Sequence, residues 1–105
     1  MKEKRLKLLS QWRRVVERAA RAVKSVYPHA EVYLFGGAAE GRLTVLSDID
    51  VAVVFDVEPR DRPGVVSEIW EALEREGIPL YYPLEVHVFT RKEFSKIKGV
   101  KVKLA

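Results

Sequence analysis

The sequence predicts an α/β fold: a small mixed sheet flanked by helices, in one domain spanning residues 1–105. Three observations carry that expectation. Apolar residues recur at helical spacing in two separate stretches. Three short runs rich in Val, Ile, Leu and Phe (Glu31 to Phe35, Ile49 to Phe55 and Leu84 to Phe89) read as strands. Between them stand the usual breakers, Pro28, Gly36-Gly37, Gly77 and Gly99.

From Leu6 to Val26, the residues Leu6, Leu9, Trp12, Val16, Ala19, Val23 and Val26 fall at three- and four-residue steps. That spacing predicts one long amphipathic helix, with Lys7, Arg13, Arg14, Arg18, Arg21 and Lys24 on a solvated face. Pro28 disfavours helix at Tyr27 and ends it, leaving His29 exposed in the loop. Glu31 to Phe35 is the first strand, stopped by the Gly36-Gly37 turn. Ile49 to Phe55 is apolar on both faces, as in a central strand covered on both sides. Pro63 opens a second helix from Asp61 or Arg62 to about Glu76, with Val66, Ile69, Trp70 and Leu73 as its buried face. Trp12 and Trp70 are read as core, and Tyr81 and Tyr82 as packing residues of a connector. In Leu84 to Phe89, alternation puts Leu84, Val86 and Val88 on one face, and Glu85, His87 and Phe89 on the other. Thr90 and Glu93 form a capping box for a short last helix that Gly99 closes. Val100 to Ala105 is a frayed tail or an edge strand guarded by lysines.

Composition narrows the class. A chain that is 48% hydrophobic and 32% charged has the balance of a globular domain, not of a disordered segment. At this size much surface stays exposed, so a homo-oligomer or a partner protein is expected to be possible. No apolar run reaches the roughly 18 residues of a membrane span, and the first residues lack a signal peptide's apolar core. The expected location is the cytoplasm. There is no cysteine, which excludes disulfides and thiolate metal sites. The net charge of +4 is modest and scattered, so it is read as a solvated surface and not as a nucleic-acid footprint.

The chemistry concentrates between Leu34 and Phe55. Asp48 and Asp50, two apart at the head of a strand, are expected to share a face about 6–7 Å apart. Such like charges repel unless something positive sits between them. Gly36 and Gly37 form a corner whose backbone N–H groups can approach a phosphate. A third carboxylate, Glu85, lies on another strand and joins the aspartates if the two strands are neighbours. Carboxylate clusters with no His or Cys select hard cations, Mg²⁺ or Mn²⁺, and such ions suit displacement at phosphorus. His87 shares the face of Glu85 and is read as a half-buried structural histidine.

Gly36-Gly37, ten residues, then Asp48-x-Asp50 resembles the glycine-corner and D-x-D signature of the DNA polymerase β-like nucleotidyltransferase superfamily. The surrounding LFGGAAEG and SDIDVAVVF are similar to its minimal nucleotidyltransferases, over Val32 to about Phe89. The resemblance implies the polymerase β-like fold and a set of roles. Gly36 and Gly37, with Ser47 nearby, would bind the nucleotide. Asp48, Asp50 and Glu85 would be the catalytic and metal-binding acids, and Glu85 would also accept the proton of the attacking hydroxyl. The substrate would be ATP, the metal Mg²⁺ or Mn²⁺, and the reaction AMP transfer to a hydroxyl with release of pyrophosphate. It further implies a separate HEPN-type ribonuclease partner, neutralised by AMP transfer or by complex formation, since no HEPN domain follows within the chain. The sequence departs from the family pattern where Gly37 replaces Ser, Glu40 replaces Arg, and Glu85 replaces the commoner Asp. Gly37 and Glu40 keep open a second reading, a binding subunit that works by covering its partner.

Overall fold

The computed structural model describes residues 9–105. In chain order the elements are α1 (Trp12–Val26), β1 (Glu31–Phe35), α2 (Gly36–Ala39), β2 (Ile49–Phe55), α3 (Arg62–Arg75), β3 (Leu84–Thr90), α4 (Arg91–Ser95) and β4 (Lys101–Lys103). The strands form one mixed sheet in the order β3-β2-β1-β4. β1 runs antiparallel to β2 and to β4, whereas β2 and β3 are parallel. A parallel pair needs a crossover, and α3 supplies it.

Alternation along the strands divides the sheet into two unequal faces. One carries Val32, Leu34, Ile49, Val51, Val53, Leu84 and Val88, which pack with Val16, Ala19 and Val23 of α1 and Val65, Ile69 and Leu73 of α3. The other carries Ala52 and Val54, joined by Phe94 of α4 and flanked by Tyr33, Phe35 and Phe89. The first face is fully covered. The second is covered by one short helix, and the polar side chains that emerge from it are the ones that carry chemistry.

Several local expectations need correction. The helix expected from Leu6 to Val26 is not continuous: Leu9 is helical, Ser10 and Gln11 form a turn, and an unbroken helix runs from Trp12 to Val26. Gln11 has the non-helical backbone of a helix cap (φ −126°, ψ 34°). Leu6 and Lys7 lie outside the described residues. The segment after β1 is not an open turn. Gly36–Ala39 winds into one helical turn, closed where Glu40 N–H donates to Gly36 and Gly37 carbonyls at 3.2 Å. Tyr82 is buried, and burial pushes its phenol up, but Tyr81 is 75% exposed. The α3 face is rotated slightly: Val65 and Ala72 are buried, while Val66 and Trp70 lie at its margin. Residues 100–105 resolve into an edge strand, β4, extended by Leu104 N–H donating to Val32 O at 2.8 Å.

Candidate active site

Asp50 is the second residue of β2, and the sheet register decides its neighbours. Across the parallel pair it stands opposite Glu85, and across the antiparallel pair opposite Phe35. The chain leaves Phe35 directly into Gly36, whose φ of +72° is open to glycine and costly for other residues. The same glycine is demanded a second time by contact: a Cβ there would sit 2.5 Å from Asp50 Oδ2. The glycine corner and the aspartate therefore touch, and each fixes the other.

His87 completes the group. It lies opposite Ala52 in the register, and beside that small side chain the imidazole leans toward Asp50. Its Nε2 is 3.0 Å from Asp50 Oδ1 and 3.7 Å from Glu85 Oε1. Phe35 meets the ring edge-on at 5.1 Å and Phe89 lies parallel to it at 5.8 Å, so the ring plane is held by packing. Asp50 and His87 are half-buried, with side-chain exposures of 27% and 28%. Glu85, at 56%, faces outward at the sheet's edge strand.

The donor atoms of Asp50, Glu85 and His87 all lie within 4.8 Å of one another. An octahedral cation with bonds of about 2.1 Å spaces adjacent donors by roughly 3.0 Å and opposite donors by roughly 4.2 Å. The group therefore fits one divalent ion after a modest closure, which the exposed Glu85 is free to make. Two carboxylates on adjacent strands also repel unless a positive charge joins them.

The other expected site residues are placed differently. Asp48 does not enter the strand; it lies one residue before β2, exposed, and outside this three-residue group. The Ser47 hydroxyl accepts from Thr44 N–H at 3.2 Å and bonds the Thr44 hydroxyl at 2.9 Å, shaping the loop that presents Asp48. Gly37 has ordinary backbone angles, and its carbonyl accepts from Arg42 N–H at 2.8 Å. Glu40 pairs with Arg42 at 3.1 Å and lies over Gly99, where an added Cβ would come within 2.8 Å of its carboxylate. The Arg42 guanidinium is thus held beside Glu40. His87 is half-buried and hydrogen-bonded to Asp50, in keeping with its expected structural role, and its place beside both acids depends on the parallel pairing of β2 and β3.

Residues 16–105 match the family model of the nucleotidyltransferase domain. Among solved structures, a candidate nucleotidyltransferase from Sulfolobus solfataricus is 24% identical and superposes with a TM-score of 0.60, over 96% of this chain and 82% of that one. A second candidate nucleotidyltransferase is 30% identical with a TM-score of 0.55, over 81% of this chain and 91% of that one. No curated protein matches the chain. The family model covers most of the chain, and the four-stranded mixed sheet agrees with the solved neighbours, so the chain belongs to the nucleotidyltransferase domain family.

Proposed function

We propose that the protein transfers AMP from ATP to a hydroxyl on another protein, and that the acceptor is a separate HEPN-type partner. The observation that supports this most is the contact between Gly36 and Asp50, because it brings the glycine corner, which we read as the phosphate cradle, against an acid that we read as a metal ligand. In this reading, backbone N–H groups of Gly36 and Gly37 hold the triphosphate. Asp48, Asp50 and Glu85 hold Mg²⁺ or Mn²⁺, which when bound would offset the charge gathering on the transferred phosphoryl group. The acceptor oxygen attacks the α-phosphorus as the bond to the β-phosphate oxygen breaks. Its electron pair leaves with pyrophosphate, and the hydroxyl proton passes to the Glu85 carboxylate. Glu85 suits that last role because its side chain is more exposed than that of Asp50, 56% against 27%.

The test uses ATP labelled at the α-phosphate, a divalent cation, the purified chain and a lysate of its source cells. A labelled band that vanishes with Asp48→Asn/Asp50→Asn is the expected result. Gly37 and Glu40, which stand where relatives carry Ser and Arg, support the second reading, a binding subunit. Asp50→Asn that still suppresses a toxic partner in cells would decide for it.

A further inference from the structure

We propose that His87 is itself a ligand of the divalent cation, making this a mixed nitrogen–oxygen centre that prefers Mn²⁺ to Mg²⁺. The proposal rests on the reading that Asp50 and Glu85 hold a cation, and it adds a residue and a selectivity that the three-acid pattern lacks. Its first support is distance. The 3.0 Å from His87 Nε2 to Asp50 Oδ1 equals the roughly 3.0 Å between adjacent donors on an ion with bonds near 2.1 Å. The 3.7 Å to Glu85 Oε1 falls between the adjacent and opposite spacings. The second support is rigidity. Phe35 and Phe89 fix the ring plane, so Nε2 is aimed at the carboxylates before any ion arrives. The third is the composition of the group: one ligand atom each from Asp50, Glu85 and His87 converge within 4.8 Å of one another.

Selectivity follows from ligand chemistry. Mg²⁺ favours oxygen donors and gives up its waters reluctantly, so replacing an oxygen by imidazole gains it little. First-row transition ions accept imidazole readily. One imidazole with two carboxylates therefore widens whatever preference for Mn²⁺ two carboxylates alone would give.

A purely orienting role for His87, a hydrogen bond that aims Asp50, makes a different prediction, and the experiment separates the two. Mn²⁺ binding to the untagged full chain is measured from loss of the free-ion electron paramagnetic resonance signal, and Mg²⁺ binding by competition. Electron spin-echo modulation then reports any nitrogen bonded to the manganese. The expected result is nitrogen modulation in the native protein, retained in His29→Gln, since the chain has only these two histidines. It is lost in His87→Gln and His87→Phe, and the Mn²⁺ to Mg²⁺ affinity ratio falls at least tenfold in both. Gln retains a polar group that can bond Asp50, so an unchanged ratio in His87→Gln, or native protein without nitrogen modulation, overturns the proposal. Circular dichroism confirms that each variant is folded. Asp50→Asn is the separate control: if it binds both ions as the native chain does, the cation reading of the whole centre falls. If it loses both while His87→Gln changes nothing, only the role of His87 is refuted.

Discussion

Gly36 answers to two constraints that come from different parts of the chain. Its φ of +72° is set locally by the turn out of β1, and its lack of a Cβ is required by Asp50 Oδ2, 2.5 Å from where that atom would be. Gly36→Ala is therefore expected to destabilise the fold by about 1–3 kcal/mol, through backbone strain and displacement of the carboxylate. Transfer activity should fall about a hundredfold, since a shift of around 1 Å in a positioned group has that effect. Gly37 is under neither constraint. Its φ is not positive, and an added Cβ would meet nothing nearer than Arg42 O at 3.9 Å. Gly37→Ser should fold with unchanged stability, checked by a denaturant midpoint, and, under the proposed function, should lower the KM for ATP by adding a hydroxyl donor at the glycine corner. A KM that rises would mean that the corner does not face the triphosphate.

At the scale of elements, α3 shows how directly a local signal becomes structure. Asp61 accepts from Gly64 N–H at 3.1 Å, and Pro63 lies in the first turn, where its missing N–H costs nothing. Asp61→Ala should cost about 1 kcal/mol and Asp61→Ser much less, read as shifts of the urea midpoint. The same kind of local legibility gave the Thr90–Glu93 capping box, β2, β3 and the covered face, because each depends on periodicity or on turn chemistry within a few residues. Features set by pairing were harder to read. Asp48 and Asp50 alternate correctly for one strand face, yet β2 begins at Ile49, where its N–H donates to Pro83 O at 2.9 Å, and Asp48 is left in the loop. His87 joins the acids through a diagonal contact that exists because β2 and β3 are parallel and in the register Asp50 to Glu85. A sequence of alternating residues states the face and not the partner.

The whole molecule is fastened at the end of the sheet away from the site by a charge network that no single element contains. Glu31, the first residue of β1, accepts from Arg91 of α4 at 2.7 Å and from the Tyr33 hydroxyl at 2.9 Å, and pairs with Lys103 of β4 at 3.1 Å. Arg91 also holds Asp56, just beyond β2, at 2.7 Å. Two strands and the helix that covers the thin face thus meet at one carboxylate, and Arg91 ties the end of β2 to them. The Arg91 guanidinium first, with Lys103 and Tyr33, holds that carboxyl down at about 2, against 4.5 for an unperturbed glutamate. A carboxyl whose folded value is depressed favours the folded state above its unfolded value and loses that contribution as pH falls through the folded one. The window here is therefore from about 4.5 down to about 2. Because the pairs are partly open to solvent, their combined worth is discounted to about 1 kcal/mol. Glu31→Gln should lower stability by that amount at pH 7, and the gap between native and variant should narrow below pH 4.5 and close near pH 2. Urea unfolding of both proteins across that range is the measurement. A gap that persists at the acid end would show that Glu31 acts through its packing against Tyr33 and not through its charge. High salt offers an independent check, since screening weakens exposed pairs and should shrink the gap at pH 7 as well.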